Sequence, residues 1–307
     1  MAEDAETGVG LSVDHLADSL AELGAALDTL GALEVDSVEI FLPALGVVLG
    51  GRVQRRRLAE LRRICEGRPF GFTLHGPLSA DLGDRANAAL QRGVAEAGLE
   101  VAAAIGATVY VQHQTIAPDP AAAPDRFGCE REALAALAPV ARDAGAVLGV
   151  ETMFCLPGQW TALPHELAEQ IAAIGHSSVG AVLDFSHAAL NAGARGADLL
   201  GSLAPLAPLT RHMHVHDSFA RFETFRPWTR GDAMSFGFGD LHLPPGDGDL
   251  DWDAFATLDL AGARIGNLEL DRRWALDLPE AVAWVRRWLD GAARLRRPQR
   301  RAAGRRG

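Results

Sequence analysis

Eight short runs of apolar and β-branched residues recur along the chain, separated by stretches with helical spacing. The runs are residues 9–13, 35–42, 70–74, 108–112, 146–150, 179–183, 212–216 and 264–270. The helical stretches are residues 14–30, 52–65, 85–105, 131–144, 164–174 and 278–289. Alternation of strand and helix carried through eight times predicts an α/β fold that closes into a TIM (β/α)8 barrel. A doubly wound open sheet is the alternative.

The length of the chain fits one such barrel. It has 307 residues, of which 48% are hydrophobic, so it can bury a large core. We predict a single barrel domain over residues 1–290, followed by a basic, disordered tail over residues 291–307. That tail could contact nucleic acid or an acidic partner, but a solubilising end is the preferred interpretation.

Charge is distributed unevenly and argues against nucleic acid as the main partner. All basic residues are arginines, and nine of the 29 lie after residue 285, as does one of the 40 acidic residues. The preceding part therefore carries 20 arginines against 39 acids, a formal charge of −19. A protein that binds the phosphate backbone normally presents a basic face. We therefore expect a small-molecule substrate.

The sequence also indicates a cellular compartment. No apolar run reaches the roughly 18 residues that a membrane span requires, and the first ten residues lack the features of a signal peptide. A cytoplasmic protein with no membrane association is expected. Cys65, Cys129 and Cys155 are widely spaced and odd in number, which disfavours a disulfide framework.

Histidines and acids stand at or near the ends of six of the predicted strands. In a barrel, the ends of the strands and the loops that follow them form the active face. The residues are His75, His113, Glu151, Asp184, His187, His214 and Glu269, and Asp240 and His242 follow the seventh strand in the segment GDLHLPPGDGDLDW, residues 239–252. His15, His165 and His176 lie away from strand ends and are expected at the surface.

Nine such side chains at one rim predict a metal centre. A single histidine at a strand end is usually structural, but acids and imidazoles packed this closely need cations to balance their charges. Mixed histidine and carboxylate ligands suit zinc first, with manganese or iron as alternatives. The turn-rich residues after His242 also fit an ordinary surface turn.

The order of these residues resembles the xylose isomerase-like TIM-barrel superfamily, which includes sugar phosphate isomerases and epimerases and AP endonuclease family two. The likeness covers roughly residues 9–289, and the segments LDFSHAALNAG and GDLHLPPGDG resemble the endonuclease in particular.

The resemblance implies up to three metal subsites. His75, His113 and Glu151 would form one. Glu151 would bridge to a second, with Asp184, His214 and Glu269. His187, Asp240 and His242 would complete a third. Many isomerases of the superfamily use mainly the second group, so the full set of ligands favours a multinuclear site.

Two chemistries fit this set, for which Glu151, Glu269 and His187 are the candidate catalytic residues. Clustered cations can activate water and hold the oxygens of a phosphoester, so phosphoester hydrolysis of a small substrate is the preferred hypothesis. The alternative is sugar or sugar-phosphate isomerisation or epimerisation, with proton transfer by Glu151 and Glu269. Cleavage of DNA at abasic sites and a metal-binding role without catalysis are less favoured.

Several further side chains are weaker candidates for substrate binding. Trp160 and Trp228 could stack on a sugar ring, as could Phe154, and Arg226 or Arg230 could hold a phosphate or carboxylate. Aromatic residues on long loops more often serve to pack the loop itself.

Overall fold

A computed structural model describes residues 7–13 and 17–303, with side chains up to residue 295. Its eight parallel strands close into a barrel in the order β1-β8-β7-β6-β5-β4-β3-β2. The strands are β1 Gly8–Ser12, β2 Ser37–Phe41, β3 Gly71–His75, β4 Ala107–His113, β5 Val147–Glu151, β6 Val179–Asp184, β7 Thr210–Val215 and β8 Ile265–Leu268. The predicted barrel is confirmed, and the open sheet is excluded.

Nine helices surround the barrel within the described residues. They are α1 Leu20–Gly31, α2 Arg55–Cys65, α3 Ala88–Ile105, α4 Ala123–Asp143, α5 Pro164–Ile174, α6 Phe185–Arg195, α7 Leu199–Leu206, α8 Arg230–Phe236 and α9 Leu278–Ala303. Short helical turns lie at Leu42–Leu45 and Trp252–Phe255, and a two-stranded hairpin pairs Val48–Leu49 with Arg52–Val53. None of the helices described is both long and apolar enough to cross a bilayer.

Helix positions follow from the spacing of apolar residues and from helix-ending residues. On α1, Leu20, Leu23, Leu27 and Leu30 recur every three or four residues and are buried against the barrel. Helix α5 begins at Pro164 and ends before Gly175, whose φ of 64° is left-handed. The main core therefore lies between the helices and the outer face of the strands.

Strand register brings the predicted site residues together. His113 on β4 is the partner of Glu151 on β5, and Asp184 on β6 is the partner of His214 on β7. Because neighbouring parallel strands end at the same rim, these side chains share one face of the barrel.

The ends of the chain and the residues expected at the surface differ in detail from the predictions. Helix α9 continues to Ala303, past the boundary predicted at residue 290, and residues 304–307 lie outside the described part. His165 and His176 are half-buried, and His15 is outside the described residues. The three cysteines are free thiols.

Candidate functional site

A cavity of about 660 Å³ opens at the carboxyl ends of the strands. Seven of the nine predicted ligands line it: His75, His113, Glu151, His187, Asp240, His242 and Glu269. The other two, Asp184 and His214, are fully buried and contact members of this group. All nine predicted residues therefore belong to one cluster.

Glu151 lies at the centre of the cluster. Its Oε2 atom is 3.3 Å from Nε2 of His75 and 3.3 Å from Nε2 of His113. Its Oε1 atom is 3.0 Å from Nδ1 of His214 and 3.4 Å from Nδ1 of His187. A single carboxylate thus contacts four imidazoles, two through each of its oxygens.

Asp184, His214 and Glu269 form a second part of the cluster with Glu151. Potential ligand atoms of Glu151, Asp184 and His214 lie within 4.8 Å of one another. Nδ1 of His214 is 3.9 Å from Oδ2 of Asp184, and Nε2 of the same ring is 3.5 Å from Oε1 of Glu269. His214 therefore lies between two sets of carboxylates.

The Asp-x-His segment contributes a third part. Oδ2 of Asp240 is 2.6 Å from Nε2 of His242 and 3.2 Å from Nε2 of His187. The His216 ring stacks on His242 with centroids 4.1 Å apart, and Nδ1 of His216 is 3.7 Å from Oδ1 of Asp240. His216 is thus an additional member that the sequence did not single out as a ligand.

Asp217 holds the Asp-x-His segment in place. It follows His216, is fully buried, and exchanges backbone hydrogen bonds with Leu243. Its side chain accepts from the backbone N–H of Gly246 at 2.7 Å and of Leu250 at 3.3 Å, and from Nε1 of Trp252 at 2.8 Å. The end of β7 therefore fixes the segment that carries Asp240 and His242.

The turn residues after His242 have a specific purpose here. Gly246 has a φ of 98°, and a Cβ atom on Gly248 would lie 2.3 Å from Oδ1 of Asp217. Larger residues at either position would displace the segment. His242 itself has a φ of 51°, which is uncommon for a residue with a side chain and often marks a functional site.

The two predicted catalytic carboxyls, Glu151 and Glu269, have pKa values shifted in opposite directions. Burial by itself would raise the pKa of Glu151, but the charges of His214 and His113 outweigh it and hold that pKa well below its usual range. Burial, together with the negative charges of Glu39 and Glu151, raises the pKa of Glu269 to about 8 despite the attraction of His214. Without a cation, Glu151 is therefore ionised at neutral pH while Glu269 holds a proton.

The pKa values of the His113 and His75 imidazoles are also shifted in opposite directions. Burial lowers the pKa of His113 to about 4. For His75, burial is outweighed by the hydrogen bond and charge of Glu151, which raise the pKa to about 9. Such opposed shifts are typical of functional sites.

Several buried atoms in the cluster suit a cation. Among the described residues, Oε2 of Glu151 and Nδ1 of His216 are buried and make no hydrogen bond of good geometry. Buried polar atoms are rarely left without a partner. Imidazole nitrogens and carboxylate oxygens at this spacing match the ligands of zinc and similar divalent metals.

Of the five weaker substrate-binding candidates, two line the cavity. Arg230 and Phe154 line the cavity, whereas Trp160, Trp228 and Arg226 are not among the described residues that line it. The Arg195 guanidinium packs 3.9 Å from the centre of the Trp160 ring, and Trp228 is 96% exposed. The Trp160 ring therefore packs against the end of α6.

The sequence did not reveal a buried polar layer beneath the cavity. Glu39 on β2 is 1% exposed and lies between His212 and His214, while Ser12 and Asn267 complete the layer. An acid inside an otherwise apolar strand was the available signal, because such a residue faces the barrel interior when its neighbours pack against helices.

Comparisons with known proteins agree with this architecture. The family model described as xylose isomerase-like TIM barrel matches residues 15–291. No curated protein sequence matches the chain significantly.

Among solved structures, a D-tagatose 3-epimerase-like protein has 17% identity and a TM-score of 0.70, covering 94% of this chain and 99% of its own. The 3-keto-D-glucoside 4-epimerase YcjR from E. coli has 16% identity and a TM-score of 0.63, covering 92% and 99%. A xylose isomerase domain protein from Planctomyces limnophilus has 17% identity and a TM-score of 0.62, covering 94% and 97%.

At these identities the solved structures establish the fold. The family model spans most of the chain and matches the barrel, whose strand ends carry the ligand cluster. The chain belongs to the xylose isomerase-like TIM barrel family.

Proposed function

We propose that the protein is a metal-dependent isomerase or epimerase that acts on the carbonyl group of a small, sugar-like substrate. The observation that carries the proposal is the pair Glu151 and Glu269, which contact opposite nitrogens of His214 at 3.0 and 3.5 Å within one cavity. Two carboxyls in this arrangement can remove a proton from one substrate carbon and deliver it to another position. The similar solved structures, named as sugar epimerases, support this alternative over the hydrolysis preferred from sequence.

Glu151, Asp184, His214 and Glu269 would hold a divalent cation, with zinc as the first choice and manganese or iron as alternatives. When bound, the cation would polarise the substrate carbonyl and stabilise the negative charge that develops on its oxygen. The protein residues would then supply orientation and proton transfer.

The carboxyls and His187 have complementary roles in this proposal. Glu151 and Glu269 would share the proton transfer, one as the base and the other as the acid. His187 lies 3.4 Å from Glu151 and 3.2 Å from Asp240, where it would position the substrate hydroxyl groups. The cavity volume of about 660 Å³ is within the range of small-ligand sites.

The test is exchange of a carbon-bound hydrogen with solvent. Zinc- or manganese-loaded protein is incubated in deuterated water with a panel of ketoses and their phosphates. We expect deuterium at the carbon next to the carbonyl, detected by proton NMR and mass spectrometry. Release of phosphate from an ester, with no exchange on any substrate, would overturn the proposal in favour of hydrolysis.

Phosphoester hydrolysis is the second candidate, and one observation favours it. Asp240, His242 and His187 join the cavity although an isomerase with one cation does not require them. A three-cation site would explain these residues, because hydrolysis of phosphoesters benefits from several cations a few Å apart.

Metal content separates a multinuclear site from a single cation. We expect roughly three equivalents of zinc in the wild type, one for each of three groups of close ligand atoms: His75 with His113 and Glu151, Asp184 with His214 and Glu151, and Asp240 with His242 and His216. A double variant, Asp240→Ala with His242→Gly, should lose about one equivalent and retain its fold. Glycine is chosen because the φ of residue 242 is 51°. Elemental analysis measures the content, and circular dichroism checks the fold. A wild type that binds one equivalent would assign Asp240 and His242 a structural role.

Arg230 offers a test of substrate charge. It is the one arginine among the described residues lining the cavity, and it pairs with Asp271 at 3.0 Å. Arg230→Gln should raise the KM of a phosphorylated substrate about 10- to 100-fold, which is the value of a hydrogen bond to a charged group. The KM of the matching neutral sugar should hardly change. Arg226→Gln is the matched control because Arg226 is exposed and does not line the cavity. Equal effects on both substrates would contradict an anion-binding role.

A further inference from the structure

Glu39 lies inside the barrel at the base of the cavity, which it helps to line, and no predicted role accounts for it. Its side chain is 1% exposed. Oε2 accepts hydrogen bonds from Nε2 of His212 and Oγ1 of Thr73, both at 2.9 Å. Nδ2 of Asn267 at 3.4 Å and Oγ of Ser12 at 3.5 Å approach Oε1. Contacts from β1, β3, β7 and β8 therefore fix the orientation of this carboxylate.

The fixed carboxylate of Glu39 lies beside the His214 ring. Oε1 of Glu39 lies 3.3 Å from Nε2 of His214, nearer than the 3.5 Å that separates this nitrogen from Glu269. The opposite nitrogen, Nδ1, is 3.0 Å from Glu151 and 3.9 Å from Asp184. The two nitrogens thus face different partners, one on each side of the ring.

Only a ring nitrogen without a proton can bind a metal. A neutral histidine carries one N–H, so the nitrogen that holds this proton leaves the other nitrogen to bind the metal. Histidine ligands commonly donate their other N–H to a carboxylate, which orients the ring. Nε2 of His214 is buried and makes no hydrogen bond of good geometry among the described residues; the carboxylates within 4 Å of it are Glu39 and Glu269, and Glu269 is itself a candidate ligand. Glu39 is therefore the acceptor available for this role.

We propose that Glu39 is a positioning residue that keeps the N–H of His214 on Nε2 and presents Nδ1 to the cation held with Glu151 and Asp184. This inference rests on the proposed metal-binding role of His214 but is independent of the reaction catalysed. His212, Thr73 and Asn267 hold Glu39 so that it cannot rotate away.

A competing role for Glu39 is direct ligation. Potential ligand atoms of Glu39, His75 and Glu269 lie within 4.8 Å of one another. A ligand and a positioning residue differ in measurable ways. Loss of a positioning residue weakens binding without changing the number of ions at saturation, whereas loss of a ligand that defines a site removes an ion.

Zinc binding to Glu39→Gln is the first measurement, made by competition with a chromophoric chelator. We expect a Kd about 10- to 100-fold weaker than in the wild type, the usual effect of losing such a hydrogen-bond partner. The number of equivalents at saturating zinc should be unchanged. Glu130→Gln is the matched control, because Glu130 is also fully buried and hydrogen-bonds Gln170 and Thr115 away from the cavity. Its zinc affinity should equal that of the wild type.

The second measurement needs no variant. In zinc-loaded protein with ¹⁵N-labelled histidine, we expect His214 to carry a proton on Nε2 and to bind zinc through Nδ1. Binding through Nε2 would overturn the inference even if Glu39→Gln does not fold. Unchanged affinity in Glu39→Gln, or fewer equivalents at saturation, would also overturn it. A wild type that binds zinc but shows no hydrogen exchange contradicts the isomerase proposal while leaving this inference intact.

Discussion

Replacing Glu269 by glutamine is expected to slow exchange of the substrate's carbon-bound hydrogen about 10²- to 10⁴-fold, the usual contribution of a general acid or base. Glutamine has nearly the same shape but cannot release or accept the proton. Oγ of Ser12 donates to Oε1 of Glu269 at 3.1 Å, so the side chain should remain in place. The rate of deuterium incorporation measures the effect.

Excess metal distinguishes proton transfer from metal binding. If Glu269 transfers the proton, saturating zinc or manganese should not restore exchange, because the missing group is the acid or base itself. Partial recovery with excess metal would instead show that Glu269 acts chiefly as a ligand. Glu280→Gln, an exposed change on α9, is the control and should keep full activity.

Replacing Asp217 by alanine should destabilise the folded protein strongly. The change leaves the N–H groups of Gly246 and Leu250 and the indole of Trp252 without their acceptor. A buried donor left unpaired costs about 1–3 kcal/mol; the indole bond is buried and the other two are part-buried, so we expect the free energy of unfolding to fall by roughly 2–4 kcal/mol. The midpoint of thermal unfolding should fall on the order of 10 °C.

Asp217→Ala should also release the segment that carries Asp240 and His242, so zinc content should fall together with stability. Asp247→Ala is the matched control, because Asp247 is exposed in the same segment. Asp217→Asn keeps one acceptor oxygen and should have an intermediate effect. A thermal midpoint like that of the wild type in Asp217→Ala would contradict the anchoring role.

The barrel and the cluster at its rim were predictable because their signals are local. Each strand is a short apolar run, and His75, Glu151 and Asp184 each end one of them. Once the strands are parallel, their ends must meet, so the position of a residue along its strand predicts its place in the molecule. The Asp-x-His segment was identifiable for a related reason, since it lies in the connection between β7 and β8.

Glu39, His216 and Asp217 were not predicted because their partners are distant in sequence. Glu39 contacts His212, 173 residues away, and Asp217 binds the indole of Trp252, 35 residues away. Nothing near these residues indicates which side chains the barrel brings to them. Likewise, Trp160 resembles a substrate-stacking residue until Arg195 is found packed on its ring.

The way Asp217 anchors the Asp-x-His segment also bears on how such sites evolve. The segment is attached outside the hydrogen-bonded ladder of the barrel, through the side chain of Asp217, its backbone bridge to Leu243 and backbone hydrogen bonds such as that from Asp271 to His242. Insertions, deletions or substitutions within residues 239–252 can therefore add or remove one carboxylate and one imidazole ligand without disturbing the strands. One ancestral barrel could in this way give rise to lineages that differ in the number of cations they carry, and hence in the reactions open to them.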